Sequence, residues 1–382
     1  MNKIRTQGLI LLTLIFFLSG CNSCLVCKKS KQKTKQKYSK EEVSKIKKKI
    51  RIINQFKNTP LFEKWQYNCG ETIRQLYCYK DMLLVETMSK KLLALDSKTG
   101  FPKWLYTLNG SMNYKPIILK NKLYVLCLGQ IHILDKNTGG LLVKKELEFV
   151  PSSPMYIDHY IYLAGWDTFL YALDKNTGDK KWRYRTDGHV HGKITSLDNI
   201  LFFADTDKKV YAIDAQTGYS KKDWADGGCY KTRGSNTSGV VVEFMPENLY
   251  IGSNDYNLYC LNRVRGNLRW KFESGGIIRK NPILIEDTIY VFSTLSDKDI
   301  MFYAVNNENG TLRWSLQDAL SIFFTGKNYM WITSKNKKLI SVKNKKIKVF
   351  NFDSFDIFAS NLESSYGYAA TKEGLIFCVG EK

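Results

Sequence analysis

The chain has 382 residues, of which 44% are hydrophobic and 25% charged, so most of it can bury a core. Only 7 prolines and 26 glycines exclude collagen-like or proline-rich disorder. A formal net charge of +22, from 58 basic against 36 acidic residues, favours an anionic partner, and 4 histidines leave little room for metal or acid–base chemistry.

Lys3 and Arg5 precede an apolar run of ten residues, 9–18 (LILLTLIFFL). As a helix the run would reach roughly 15 Å, about half the hydrocarbon core of a bilayer. Leu18-Ser19-Gly20-Cys21 closes it. A charged start, a short apolar stretch and small residues mark a cleavable secretory signal. Ending at a cysteine, the segment resembles the lipobox of bacterial lipoproteins. The resemblance implies that residues 1–20 are a signal peptide and that Cys21 becomes the lipid-modified first residue of the mature chain. An ordinary signal peptide or a buried apolar helix is the plainer alternative. Export would remove nucleic acid as the anionic partner.

Residues 21–57 form a lysine-rich tether with 13 basic and 2 acidic residues, a charge of +11. Residues 58–382 hold 43 basic and 34 acidic residues, only +9. Lysines near an anionic leaflet each add about 1 kcal/mol of attraction, although a solvated spacer explains them as well. Ser39-Lys40-Glu41-Glu42 fits a capping box, and Val43, Ile46, Ile50 and Ile53 follow at helical spacing. The pattern predicts a short amphipathic helix over roughly 40–56, docked on the folded body or lying on a membrane surface.

Nine cysteines give no readable framework. Cys21, Cys24 and Cys27 are spaced like part of a metal run, but no fourth ligand follows. Lys28 stands where c-type haem attachment needs a histidine. Cys69, Cys78, Cys127, Cys229, Cys260 and Cys378 are scattered, and several of them sit among apolar strand residues and are expected as small core residues. Disulfides are permitted in an oxidising compartment, and their pairing is left open.

Beyond residue 58 the chain repeats itself. Leu92-Leu93-Ala94-Leu95-Asp96 leads to Thr99-Gly100 and Trp104. The pattern recurs at Asp135 and Gly139, at Asp174, Gly178 and Trp182, and at Asp214, Gly218 and Trp224. It recurs again at Asn262, Gly266 and Trp270, and at Asn306, Gly310 and Trp314. Two degenerate copies are centred on residues 339–343 and 375–379. The turn glycines are 39, 39, 40, 48 and 44 residues apart. Each apolar run reads as a strand buried on both faces. The Asp or Asn side chain accepts hydrogen bonds from the following turn, and Gly supplies a positive φ. The Trp is expected to wedge between neighbouring sheets. These roles are structural, so no catalytic residue is assigned.

Two further strands precede each copy, as in residues 116–119 and 123–126, which makes four strands per repeat. A unit of about 41 residues fits a four-stranded propeller blade. A lone Trp-containing strand, residues 62–67, opens the body, and three strands without one close it. The expected fold is therefore all-β, one eight-bladed β-propeller over 58–382. The N-terminal strand should complete the last blade and remove the exposed edges.

The repeat resembles the PQQ-like (quinoprotein-type) β-propeller repeat, strongly in six copies and weakly in the last two. The second copy departs from it, with Val143-Lys144 where Trp is expected. A lipoprotein made only of this propeller is similar to the BamB family, accessory lipoproteins of the outer-membrane β-barrel assembly machinery. The resemblance implies a scaffold without cofactor, anchored in the outer membrane, facing the periplasm and binding the POTRA domains of the assembly protein BamA. It implies a chain that is monomeric within a larger complex. Two alternatives stand beside it. One is a propeller lipoprotein binding a small ligand or glycan, with the cell surface as its location. The other is a PQQ-dependent dehydrogenase, although the adjacent Cys-Cys pair typical of those enzymes is missing.

Two segments stand out as binding candidates. The longest interval between turn glycines holds residues 226–236, a Gly-rich stretch with Tyr230, Lys231 and Arg233. Loops that exceed the repeat tend to carry binding. Tyr230 is expected as an aromatic anchor, and Lys231 and Arg233 as charges for an acidic partner. The neighbouring segment 183–193 is expected on the same surface. Within it His189-Val190-His191 places two imidazoles on one face of a predicted strand. No carboxylate is placed beside them, so no metal is assigned.

Overall fold

The computed structural model describes residues 51–382 except 53, 58, 297, 298, 344 and 363. The signal segment, Cys21 and most of the predicted helix lie outside the described residues. Of the predicted helical span, residues 51, 52 and 54–56 are described and are helical.

Eight four-stranded antiparallel sheets make up the body, each built from consecutive strands except the last. Blades 1 to 7 cover residues 73–107, 117–146, 156–185, 195–231, 241–273, 283–317 and 319–351. Within a blade the second and third strands are buried on both faces, as in Met82–Thr87 and Lys91–Asp96. The fourth strand is largely exposed, as in Leu141–Glu146. First strands of neighbouring blades touch, so they line the axis and the fourth strands form the rim. This is the β-propeller the repeats predict. Blade 8 joins the two ends of the fold. Ile357–Ala359, Tyr366–Ala370 and Leu375–Glu381 supply three strands, and Leu61–Asn68 pairs with Leu375–Glu381 as the rim strand.

The repeated motif makes the turn between third and fourth strands, and it locks each blade to the next. Asp96 Oδ1 accepts the backbone N–H groups of Lys98 and Thr99, both at 3.0 Å. Gly100 follows at φ 76°. A Cβ on Gly100 would lie 2.6 Å from the Trp65 ring of the preceding blade. Gly139, Gly218, Gly266 and Gly310 are covered in the same way by Trp104, Trp182, Trp224 and Trp270. The glycine is thus needed twice, for its φ and for the ring above it. The indole N–H of Trp65, Trp104, Trp224 and Trp270 donates to the carbonyls of Ser97, Lys136, Arg263 and Asn307, each just after a motif Asp or Asn. Trp182 covers its glycine without such a partner, and the Tyr162 hydroxyl takes the Ala215 carbonyl instead.

Three junctions depart from the rule, one of them that of blade 6, whose Trp314 faces a blade 7 turn without a glycine. In blade 2, Val143 occupies the Trp position opposite Ile133, and Lys145 covers Gly178. The Tyr124 hydroxyl still donates to Lys175 O at 3.1 Å. Blade 7 also lacks the Trp. Beside it lies an aromatic cluster of Phe352, Phe355 and Phe377, with Phe56 packed against all three rings. Of the described cysteines, Cys78, Cys127, Cys260 and Cys378 are buried, and Cys69 and Cys229 are partly buried.

Candidate functional site

One end of the ring carries the motif turns. The opposite end carries the turns between second and third strands and the connectors between blades. Those connectors are held by a second repeated pattern. Thr186-Asp187-Gly188, Thr232-Arg233-Gly234 and Ser274-Gly275-Gly276 begin three successive connectors. Each hydroxyl donates to the carbonyl of the last residue of its own blade's turn, Thr168, Lys208 or Tyr256. Each glycine lies so close to neighbouring backbone that a Cβ would sit 2.5 Å from it. The sequence reading missed this pattern. Its signal is a Ser or Thr two residues before a Gly, directly after the rim strand.

Turn carboxylates pin the same connectors. Asp205 is fully buried and accepts Gly188 N–H at 2.9 Å and the Tyr211 hydroxyl at 2.7 Å. Asp255 accepts Arg233 N–H at 3.0 Å and the Tyr259 hydroxyl at 2.6 Å. Burial works to raise the Asp255 carboxyl, but the hydrogen bonds from Tyr259, Asn257 and Arg233 outweigh it and hold it below the usual range. Burial, then the hydrogen bond to Asp167, pushes Tyr171 up to about 12. These acids are structural clamps, with every near group a neutral hydroxyl or an N–H donor.

The two predicted binding segments meet at blade 4. Thr206 N–H reaches His189 O at 2.9 Å, and Thr232 N–H reaches Lys208 O at 2.8 Å. The turn 205–208 is therefore flanked by the 183–193 segment on one side and by residues 232–236 on the other. Lys209 pairs with Asp187 across this seam. Lys231 and Arg233 are exposed there. Tyr230 is half-buried, with its ring 6.1 Å from Tyr259, so it is packed between blades 4 and 5 more than offered to solvent. The segment read as a loop contains a short rim strand, Cys229–Lys231, and the extra residues sit before it, around Trp224. His189 and His191 lie in a connector, not a strand. Among the described residues no group of three metal-ligating side chains occurs.

The most exposed aromatic in these turns, among the described residues, is Trp166, which the sequence reading missed. It sits in the blade 3 turn, 52% exposed, with ring centroids of His189 at 5.1 Å and His191 at 4.9 Å. Val150 O accepts its backbone N–H at 2.9 Å, and Val150 is exposed beside it. Met88 and Leu128 occupy the equivalent turns of blades 1 and 2, also exposed. An apolar band thus crosses blades 1 to 3 and runs into the charged seam at blade 4. The signal was an apolar residue in a turn that in blade 4, residues 205–208, is wholly polar, although Tyr256 and Leu295 are also exposed in the turns of blades 5 and 6. A cavity of about 470 Å³ opens between blades 8 and 1, lined by Arg74, Met88, Asp356 and Lys372 among others. Apolar side chains rimmed by charge suit a protein partner.

The family model described as "Outer membrane protein assembly factor BamB" matches residues 128–228 and 221–353. No curated protein matches the chain. Among solved structures, BamB from Moraxella catarrhalis superposes with a TM-score of 0.65 at 18% identity, covering 84% of this chain and 98% of the other. The computationally designed Ika8 protein gives 0.64 at 12% identity, covering 81% and 96%. The quinohemoprotein alcohol dehydrogenase ADHIIG from Pseudomonas putida HK5 gives 0.63 at 11% identity, covering 84% and 76%. At these identities the structural likenesses establish the propeller alone.

Proposed function

Because the chain belongs to the family described as outer membrane protein assembly factor BamB, we propose that it is a non-catalytic, lipid-anchored scaffold of outer-membrane β-barrel assembly. Its signal peptide spans residues 1–20, and Cys21 carries the lipid that holds it to the outer membrane, facing the periplasm. Residues 21–57 are the tether, and the propeller over 58–382 binds the POTRA domains of the assembly protein. Among the described residues no helix is long and apolar enough to cross a membrane, and a lipid anchor does not require one.

The family match over most of the propeller carries this reading. The face that would take the partner is the end of blades 1 to 4, where Trp166, Lys231 and Arg233 are exposed. Tyr230 would support the seam from below. A short crosslink followed by mild-detergent purification of the lipoprotein tests it. Recovery of a POTRA-containing barrel protein is expected. Replacing Tyr230, Lys231 and Arg233 together, or Trp166 by Ala, should lower that recovery at least about ten-fold, the loss of one hot-spot side chain. An intact, abundant bait without such a partner would overturn the reading. Unchanged recovery by both variants would move the surface elsewhere.

A further inference from the structure

The net charge of the propeller is concentrated in one blade. Residues 319–352, blade 7 and its last turn, hold 8 lysines and no acidic residue. Residues 58–382 total +9, so all other blades together contribute +1. The lysines follow the blade from end to end. Lys327 lies between the first and second strands, and Lys335, Lys337 and Lys338 lie at the turn into the third strand, Lys338–Lys343. Lys345 precedes the rim strand Lys346–Asn351, which presents Lys346 and Lys348. Ile347 and Val349 stand between and beside them, 44% and 54% exposed.

Lysines on exposed strands commonly guard against edge-to-edge pairing. That role does not explain what blade 7 has lost. In blades 1, 3 and 4 the motif aspartate holds a nearby lysine: Lys103 at 3.2 Å from Asp96, Lys181 at 3.3 Å from Asp174, and Lys221 at 3.9 Å from Asp214. In blade 6, Arg313 pairs with Asp287 at 2.7 Å. Blade 7 has Lys343 at the motif position, so the carboxylate is replaced by another cation. Lys337 pairs with Asp356 of the following connector at 2.9 Å. Among the described residues Lys338, Lys345, Lys346 and Lys348 have no ion pair.

The start of the propeller unit lies against this blade. The Gln55 side chain donates to Asp353 at 2.5 Å, and Phe56 packs on Phe352 and Phe355, just past the rim strand. The chain thus enters the propeller unit beside blade 7. We propose that the rim of blade 7 docks on the anionic lipid surface that carries the N-terminal anchor. This rests on the anchoring reading given above. A lipid surface meets both halves of the patch: anionic headgroups for the lysines, and interfacial space for Ile347 and Val349. An acidic protein or polyanion offers the charge without the apolar half.

The test uses the full chain mixed with vesicles of phosphatidylglycerol and phosphatidylcholine, or of phosphatidylcholine alone. A water-soluble amine reagent labels lysines, read by peptide mass spectrometry. Labelling of Lys345, Lys346 and Lys348 should fall on the anionic vesicles by at least about five-fold, the equivalent of about 1 kcal/mol per lysine. Lys144, Lys222 and Lys271, exposed on other blades, should label equally on both. High salt should remove the protection. The triple variant Lys345→Gln, Lys346→Gln, Lys348→Gln changes only exposed side chains and should abolish the vesicle-dependent protection of Lys338. Equal labelling on both vesicles overturns the proposal. So does protection by soluble polyglutamate without protection by vesicles, which would assign the face to an acidic protein. The absence of an acyl adduct on Cys21 in the intact mass of the protein from cells would sink the anchoring reading, independently of the footprint.

Discussion

A residue that is conformationally cheap in one copy of a repeat is expensive in another, because its neighbour differs. Gly139 lies beneath the Trp104 ring, with a Cβ position 2.6 Å away, whereas Gly178 lies beneath the flexible Lys145 side chain at 3.0 Å. Both have positive φ. Gly139→Ala should therefore cost the left-handed penalty of roughly 1–2 kcal/mol plus about 1–3 kcal/mol of overpacking. Gly178→Ala should cost little beyond the first of these, and urea unfolding of the two variants should separate them. Asp255 sets a pH dependence of definite sign. Its carboxyl is held low in the folded state, so its stabilisation is complete above the unfolded value near 4 and is lost as pH falls through the folded one. Asp255→Asn should destabilise at neutral pH by about 1–2 kcal/mol, and the gap to the parent protein should shrink on acidification, as followed by urea titration at each pH. The motif Asp and Gly were legible in the sequence because their chemistry is local. The second role of Gly, making room for a ring from another blade, was not. It depends on a contact about 35 residues away along the chain.

Blades differ in what seals them to their neighbours. The Trp ring covers the next blade's turn glycine from Trp65, Trp104, Trp182, Trp224 and Trp270 but not from Trp314, whose neighbouring turn has no glycine, and Trp224 does the work from a turn instead of a strand. Where the Trp is missing the fold improvises: Lys145 in blade 2, and beside blade 7 a set of phenylalanines that includes Phe56. Phe56 lies before the first strand, in a stretch the sequence reading assigned to the tether. Its role follows from the closure of the ring, which no single repeat contains. Phe56→Ala should destabilise the protein by about 3–5 kcal/mol, as expected for a buried aromatic, despite lying outside every copy of the motif. A lowered melting temperature together with early protease cleavage near residue 57 would show it. The candidate site was half legible. The segments 183–193 and 226–236 do converge, because both flank the blade 4 turn. Tyr230 was misjudged as an open anchor, because the strand that carries it turns its ring toward Tyr259. Trp166 was overlooked because a single exposed Trp in a short turn carries no periodic signal.

At the scale of the whole molecule, eight similar blades are made unequal by where charge and apolar side chains are left uncompensated. Blades 1 to 4 expose an apolar band that ends in a charged seam, while blade 7 exposes lysines with no acidic residue in its own strands and turns. The two faces would let one rigid ring hold a protein and a lipid surface together. The architecture itself was legible because the repeat count, the strand count and the unmatched strands at each end all agreed on a closed ring. The closure also imposes an order of events on biogenesis. Leu61–Asn68 is made before every other strand, yet its partner Leu375–Glu381 is made after all of them. Throughout synthesis the first strand has no mate, while seven blades can condense locally behind it. The ring can shut only in a final step, spanning some three hundred residues, and until then the strand made first must be kept from the wrong companion.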